Sequence, residues 1–192
     1  MPTRFLEHDE QVPGLDQTTI LDFWRWAYSD VLSNGNRSVF AEFMVGKALG
    51  CLGQPRVEWD SVDLHYGDFG IEVKASAACQ RWVQSKPSPI SFSIRKAIFW
   101  NEATGKYEGE PTRSAKCYVF CCHPETDQAK VNVLDVQAWD FYVVPVETIN
   151  STLGQQKSVS LATVQKCVKA CKFGSLKATV DSALNLVIVT TS

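Results

Sequence analysis

Two acidic residues and a lysine on neighbouring extended runs carry the chemistry that this sequence offers. The run at 57–66 contains Asp63, and the run at 70–77 contains Glu72 and Lys74 with a single residue between them. Side chains alternate between the two faces of a strand, so Glu72 and Lys74 share a face. An acid and a base this close, in a run that is otherwise apolar, indicate either a hydrolytic site or a surface ion pair.

A glycine-containing turn at 67–70 joins the two runs, which is typical of a β-hairpin. With that turn Tyr66 pairs with Ile71, and the same register places Asp63 opposite Lys74. Residues that oppose each other in an antiparallel pair share a face. We therefore expect one face to carry Asp63, His65, Glu72 and Lys74. The other face is expected to carry Asp60 and three core residues, Val62, Ile71 and Val73.

Two carboxylates on one face repel each other unless a cation lies between them. Mg²⁺ fits such a pair, because it prefers oxygen ligands and is commonly held by one or two carboxylates together with substrate phosphate. A lysine beside this ion can orient or deprotonate a water and offset charge on the phosphate. The three residues therefore indicate metal-dependent phosphoester hydrolysis. The alternative is a cross-strand ion pair at the surface, which is common and contributes little stability.

A further carboxylate is predicted on a helix that precedes the hairpin. The segment 37–50 has helical periodicity, and Glu42 falls on its apolar stripe together with Val39 and Val45. A carboxylate in a stripe that packs inward needs a partner or a metal to compensate its desolvation. Gly46, one turn later, is expected to let the helix approach another backbone closely.

In order and spacing these residues resemble the PD-(D/E)XK, or restriction-endonuclease-like, nuclease superfamily. Its pattern is a helical Glu, an Asp in one strand and (D/E)-x-K in the next, and the matching residues here are Glu42, Asp63 and Glu72-Val73-Lys74. The run from Glu72 to Trp82 also resembles the EVK…Q-x-W motif of a group of uncharacterised bacterial proteins with this nuclease core. The resemblance covers about 37–95, and Val62 precedes the Asp where the pattern has Pro.

The resemblance implies a role for each residue of the motif. Asp63 and Glu72 would bind Mg²⁺, for which Mn²⁺ could substitute, and the backbone carbonyl of Val73 would be a third protein ligand. Lys74 would position the attacking water, and Glu42 would support a second metal or a metal-bound water. The implied activity is Mg²⁺-dependent hydrolysis of phosphodiester bonds in DNA by an endonuclease of the restriction or defence type.

Basic residues that follow the motif without intervening acids indicate a polyanionic partner. The segment 73–100 contains five Lys or Arg and no acid, and 157–177 contains five lysines and no acid, although the whole chain has a net charge of −2. Such local excess can bind nucleic acid, and a solvated face is the equally good alternative. The resemblance assigns DNA contacts to Gln80, Arg81, Lys86, Arg95 and Lys96.

Helical patterns and extended runs follow each other in an order that predicts an α/β (α+β) fold. Helices are predicted near 18–34, 37–50 and 158–172, and strands near 57–66, 70–77, 90–95, 116–123, 131–145 and 184–191. The resemblance implies a restriction-endonuclease-like core, with a central mixed β-sheet flanked by helices. We interpret 1–192 as a single domain, with the core at about 37–145 and a C-terminal elaboration of helix and strand at about 157–192.

Several classes of protein and site are not favoured by the sequence. No apolar run is long enough to span a bilayer and the N-terminal residues lack the apolar core of a secretory signal, so a cytoplasmic location without membrane contact is expected. Seven cysteines without a CxxC pair favour reduced, buried thiols over disulfides or zinc. Without a glycine-rich phosphate loop, no nucleotide cofactor is expected. A homodimer is left open.

Two other functions remain open at this point. The fold could be retained in a catalytically inactive protein that binds DNA or another partner, because fold does not fix function. The chain could also be an unrelated α/β domain whose strand charges form surface pairs. A divalent ion bound between Asp63 and Glu72 would separate the nuclease from the second alternative, and only a cleavage assay separates it from the first.

Overall fold

The computed structural model describes residues 4–58, 60–101 and 104–186. The helices in these ranges are α1 (Ile20–Tyr28), α2 (Asn34–Leu49), α3 (Val146–Leu153), α4 (Leu161–Cys167) and α5 (Phe173–Ala183). The strands are β1 (Leu64–Tyr66), β2 (Phe69–Ala77), β3 (Ser91–Ser93), β4 (Ala97–Asn101), β5 (Lys106–Thr112), β6 (Cys117–His123), β7 (Asp140–Pro145) and β8 (Ser158–Ser160). Across the described ranges, no helix combines the length and the apolarity that crossing a membrane requires.

The four strands of the main sheet confirm the predicted mixed sheet. Their order is β1-β2-β6-β7, with β2 and β6 parallel and the two outer pairs antiparallel. Two antiparallel ribbons, β3 with β8 and β4 with β5, lie outside this sheet. The mixed α+β fold is therefore as expected, whereas the restriction-endonuclease-like arrangement of its core stays a prediction.

Strand β6 is buried along its whole length, because other elements pack on both of its faces. On the helical face, as we call it, Ile71 of β2 packs with residues of α2 and α5. On the opposite or ribbon face, Tyr118 and Phe120 of β6 pack with residues of β3, β8, α3 and α4. Glu72 lies next to Tyr118 in the parallel register and Lys74 next to Phe120, so both lie on the ribbon face.

Both ends of helix α2 carry residues that are typical helix caps. Ser33 is extended at the N-cap, and Gly50 ends the helix with a φ of +71°, a conformation that suits a residue without Cβ. The close approach predicted at Gly46 is made by a side chain and not by a backbone, because a Cβ there would overlap Leu52. The segment after α2 therefore folds back onto the helix, and this segment carries Arg56.

The hairpin turn is shorter than predicted, and the predicted register is wrong. Tyr66 pairs with Phe69, not with Ile71, across a two-residue turn in which Gly67 has a φ of +58°. Two-residue turns that begin with glycine match the right-handed twist of the flanking strands, which favours them over a longer loop. The whole register is consequently shifted by two residues.

The shift changes which residues oppose each other but not the face on which they lie. Extended to Asp63, just before β1, the observed register places this residue opposite Glu72 and not opposite Lys74, and His65 opposes Gly70. Side chains repeat every two residues along a strand, so a two-residue shift keeps each of them on its predicted face.

Residues 60–63 form bends, and the side chains of Asp60 and Val62 do not follow the predicted alternation. Val62 is buried, but it packs over Gly70 in the ribbon-face core and not with Ile71 on the helical face. Asp60 reaches the polar side of the hairpin, where its Oδ2 lies 2.9 Å from His65 Nε2. The assignment of Val62 and Asp60 to the helical face is therefore wrong.

The C-terminal part forms shorter elements than the sequence predicts. The helix predicted at 158–172 is divided into β8 and α4, and the Ser160 side chain accepts the Thr163 N–H at the start of α4. Pairing of β8 with β3 is a contact between distant segments, which local periodicity does not report. The strand predicted at 184–191 lies, from 187 onward, outside the described residues.

His123 at the end of β6 is a buried histidine with one satisfied ring nitrogen. Its Nε2 lies 3.2 Å from the Asn132 carbonyl oxygen, so Nε2 carries the proton and donates. Its Nδ1 is buried without a hydrogen-bond partner in the described structure. Burial lowers the pKa of His123 below the usual 6.5. The unfolded chain therefore binds more protons in this range, and the free energy of unfolding falls as the pH drops below about 6.5.

We expect the temperature of unfolding to fall as the pH is lowered from about 7 to about 5, and His123→Gln to reduce this dependence. The reason is that the unfolded His123 takes up a proton that the folded residue resists. His8→Gln, at an exposed position, is the matched control and should leave the dependence unchanged. Thermal scans by circular dichroism measure the effect. The same pH dependence in wild type and His123→Gln would contradict it.

Candidate active site

The hairpin brings Asp63, Glu72 and Lys74 into direct contact. Lys74 Nζ lies 2.5 Å from Glu72 Oε1 and 3.2 Å from Asp63 Oδ2, so the ammonium group bridges the two carboxylates. The three side chains are 21% to 28% exposed, which leaves them largely buried but within reach of solvent. The structure therefore places together the three residues that the sequence groups on one face.

Asp63 is positioned by the end of β1. Strand β1 starts at Leu64, so the backbone N–H of Val73 in β2 extends past the paired part of the hairpin. Asp63 Oδ2 accepts this N–H at 2.7 Å and replaces a hydrogen bond of the ladder. The N–H and C=O of one residue project toward the same neighbour in an antiparallel pair, so the Val73 carbonyl faces the same edge. The carboxylate and the carbonyl predicted as ligands thus lie at one strand edge.

The charges in this cluster are not balanced. Burial and the negative charge of Asp63 raise the pKa of Glu72, and Lys74 only partly offsets them. Burial lowers the pKa of Lys74, but the charges of Asp63 and Glu72 outweigh burial and raise it overall, so Lys74 is protonated at neutral pH. Tyr118, beside Glu72 in the sheet, was not singled out by the sequence. Burial and the Glu72 charge raise its pKa to about 12, which keeps it neutral. The cluster has two carboxyl groups and one ammonium group, so its acidic groups outnumber its basic groups and it favours a further cation.

The donor atoms suit Mg²⁺. Asp63 Oδ1 and Glu72 Oε2 make no hydrogen bond to any described residue, so each carboxylate offers one oxygen. Mg²⁺ takes oxygen ligands and is often held by only one or two carboxylates, with waters and substrate phosphate completing its shell. Among the residues that the structure describes, no three His, Cys, Asp or Glu side chains are grouped to enclose a metal. The fit is therefore to an ion held by two carboxylates and not to a closed protein cage.

Glu42 forms an ion pair with Arg56. It is buried on α2, and its two carboxylate oxygens accept hydrogen bonds from Arg56 Nε at 2.5 Å and from Nη2 at 3.0 Å. This carboxylate therefore has a partner other than Lys74, and support of a second metal by Glu42 stays a prediction that requires Arg56 to release it. Arg56 lies in a segment without helical or strand periodicity, so only its positive charge could have suggested that it pairs with Glu42.

Arg56→Ala is expected to destabilise the fold, because it leaves the buried Glu42 carboxylate without a partner. Loss of one partner from a fully buried pair costs about 3–5 kcal/mol. Arg56 is 39% exposed, and solvent screening reduces the expected loss to roughly 1–3 kcal/mol. Adding Glu42→Gln should recover most of this loss. Urea titrations of wild type, both single variants and the double variant measure the coupling. Equal stability of wild type and Arg56→Ala would contradict it.

Gln80 holds the loop after β2 instead of facing solvent. It is buried, and its side-chain amide donates to the Ala77 carbonyl at 2.8 Å. Its backbone N–H donates to Gln84 Oε1 at 2.6 Å, and Gln128 Nε2 donates to its carbonyl at 3.1 Å. A direct contact between the Gln80 side chain and DNA would require this loop to open, so the structure offers no surface for the predicted contact.

The other predicted DNA-binding residues lie at the surface. Arg81 is exposed and its Nε lies 3.0 Å from Asp30 Oδ2. The remaining three are the exposed Lys86 and Arg95 and the half-buried Lys96. The backbone N–H of Ile94 donates to the Lys157 carbonyl at 3.0 Å, which brings the two basic segments of the sequence next to each other. The chain at Lys157 therefore lies next to the segment that carries Arg95 and Lys96.

In comparisons with known proteins, the chain matches no family model, no curated protein and no solved structure.

Proposed function

We propose that this chain is a Mg²⁺-dependent nuclease that hydrolyses phosphodiester bonds of DNA, in the manner of a restriction or defence endonuclease. One observation carries the proposal: Lys74 bridges Asp63 and Glu72 at the edge of a strand, at 3.2 and 2.5 Å. An ordinary surface ion pair is exposed and joins one acid to one base. This cluster is largely buried and has two carboxylates for one lysine. Buried groups with perturbed pKa values are typical of functional sites.

Each residue of the cluster has a distinct role in this proposal. Asp63 and Glu72 would hold Mg²⁺, which when bound supplies Lewis-acid stabilisation and an activated water. Lys74 keeps a positive charge beside the position of the phosphate, where negative charge develops during the reaction. Its N–H groups can donate to the attacking water or to a phosphate oxygen. Because the Val73 N–H holds Asp63 in place, this arrangement needs little reorganisation when substrate binds.

DNA is the partner that the surface charges favour. Lys86 and Arg95 are exposed and Arg81 is paired with the exposed Asp30, so all three can reach phosphates. Lys96 lies in the same segment, and the Lys157 carbonyl accepts the N–H of Ile94, two residues before Lys96. A cytoplasmic location, which gives access to DNA, belongs to this proposal.

A catalytically inactive protein of the same fold that binds DNA or another partner is the second candidate. Two observations favour it: Lys74 pairs with both carboxylates, and Arg56 pairs with Glu42. Asp63 in addition accepts the Val73 N–H. In this reading the cluster stabilises the edge of β2 and performs no reaction.

Incubation of the protein with plasmid and with single-stranded DNA, in Mg²⁺, Mn²⁺ or EDTA, separates the two candidates. Cleavage that requires the divalent ion and stops in EDTA is expected for the nuclease. DNA binding without cleavage in any of the three conditions is the result expected for the inactive protein, and it would overturn the nuclease proposal.

Glu72→Gln is expected to lower divalent-ion affinity and cleavage together, because it removes a charged ligand and keeps the size of the side chain. Even partners that only orient a metal ligand change affinity by about 10–100-fold, and a ligand should change it at least as much. Glu147→Gln, at a side chain that is 70% exposed, is the matched control. Calorimetric titration with Mn²⁺ beside a cleavage time course measures both effects. Loss of cleavage with full ion affinity would remove Glu72 from the ligand set.

A further inference from the structure

A concave pocket of about 690 Å³ opens beside the candidate active site. Asp63 belongs to its lining, and the same carboxylate lies 3.2 Å from Lys74 Nζ. The pocket is otherwise lined by the middle and C-terminal half of α2, by the segment 51–57, by Phe5, and by Asp60, Leu64 and His65 at the hairpin. Pockets of about 300–1,000 Å³ are the size that holds small ligands. The proposed hydrolysis makes no use of this space.

The lining combines exposed aromatic rings with hydrogen-bonding groups. Phe43 is 50% exposed and Phe5 is 55% exposed, although both line a concave surface. Gln54 contributes an amide, and Arg56 contributes a guanidinium whose Nη1 makes no hydrogen bond to any described residue. A flat apolar ring with amide and guanidinium groups near its edge is the chemistry with which proteins bind single nucleobases.

Two contacts described above fix the walls of this pocket. Leu52 packs into the space that the missing Cβ of Gly46 leaves on α2, so the segment after the helix is held down against it. The ion pair between Glu42 and Arg56 holds the same segment a few residues later. The part of the pocket between α2 and the segment 51–57 is therefore held together by contacts within the protein.

We infer that this pocket receives one unpaired nucleobase of the DNA strand that is cut. The inference rests on the proposed nuclease function, because a phosphate placed at Lys74 brings the base attached to it next to Asp63, where the pocket begins. A base that is stacked and paired must first be extracted from the duplex, whereas an unpaired base enters without this penalty. The protein should therefore prefer DNA that contains unpaired bases over a perfect duplex.

Binding in EDTA tests the pocket separately from cleavage. Fluorescence anisotropy compares a short labelled duplex with the same duplex carrying one extra unpaired adenine. The proteins are wild type, Phe43→Ala, Phe43→Tyr and Trp26→Ala. Phe43 and Trp26 are both exposed aromatic residues on helices, at 50% and 84%, but only Phe43 belongs to the lining. Trp26→Ala is therefore the matched control, and Phe43→Tyr keeps the ring that the base would stack on.

Wild type, Phe43→Tyr and Trp26→Ala should bind the duplex with the unpaired base about tenfold more tightly than the paired duplex. Phe43→Ala should lose this preference, because its affinity for the unpaired base falls on the order of tenfold with the lost stacking. Its affinity for the paired duplex should not change. Equal wild-type affinity for both duplexes, or a preference that survives in Phe43→Ala, would overturn the inference.

Failure of the pocket can be told apart from failure of the nuclease proposal. Cleavage in Mg²⁺ without any preference for unpaired DNA would overturn the base pocket and leave the nuclease. A preference that Phe43→Ala abolishes, in a protein that never cleaves, would support the pocket and overturn the nuclease. A protein that binds neither duplex would overturn both.

Discussion

Lys74→Ala is expected to lower the rate of DNA cleavage by about 10²–10³-fold, which corresponds to about 3–4 kcal/mol in the activation free energy. The substitution removes a positive charge that two carboxylates hold in place before the reaction starts. The structure supports this interpretation over a freely moving lysine, because Lys74 Nζ is tied to both Asp63 and Glu72. A charge fixed in advance stabilises the transition state without reorganisation.

Divalent-ion binding should behave in the opposite way in the same variant. Without Lys74, the carboxylates of Asp63 and Glu72 lie close together with no cation between them, so their repulsion favours a bound metal ion. Affinity for Mg²⁺ or Mn²⁺ should therefore persist or increase while cleavage is lost. Calorimetric titration measures the ion affinity, and a cleavage time course measures the loss of cleavage. Lys116→Ala, at an exposed lysine, is the matched control. Full cleavage by Lys74→Ala with metal bound would remove Lys74 from the mechanism.

Trp139→Ala is expected to destabilise the protein by about 3–5 kcal/mol, the usual range for removal of a large buried aromatic side chain. Trp139 is 0% exposed, and its indole N–H donates to the Val133 carbonyl at 2.9 Å. The His123 ring packs edge-on against it, with the ring centroids 5.2 Å apart. The substitution therefore leaves a cavity, an unpaired carbonyl and a histidine without its neighbour. Urea denaturation gives the free energy of unfolding.

Trp26→Ala provides the comparison for this prediction, because it makes the same chemical change on the surface. Trp26 is 84% exposed on α1, so its loss should change the free energy of unfolding by no more than about 0.5 kcal/mol. A small effect of Trp139→Ala would contradict the placement of this residue in the core. A large effect of Trp26→Ala would show that α1 is covered in solution.

The charged cluster is predicted correctly from the sequence although the predicted register of the hairpin is wrong. The predicted pairing of Tyr66 with Ile71 is wrong, yet Asp63 and Lys74 still meet. The face of a strand residue depends only on whether its position is odd or even, and a shift of two preserves it. Glu42 was likewise predicted in the buried stripe of its helix, because helical periodicity is a local property.

The partners of these residues could not be predicted, because they come from segments without a repeating pattern. Arg56 has no periodic relation to Glu42, and only the fold of the segment after α2 brings the two together. No local sequence pattern tells whether Gln80 contacts DNA or, as observed, is buried with its side chain bonded to the Ala77 carbonyl. Val62 leaves its expected face because the chain bends before β1. Periodicity describes regular strands and helices, and these residues lie outside both.

The parallel pairing of β2 with β6 has a consequence for the order of events during synthesis. Asp63, Glu72 and Lys74 lie close in the chain, but β2 is completed by a strand that begins only at Cys117. A two-stranded hairpin is marginally stable in water, so the cluster should stay unformed in the growing chain until β6 is available. At about 5–20 residues per second, that strand follows β2 by roughly 2–10 s. The candidate site should therefore form only after the chain has been synthesised through β6.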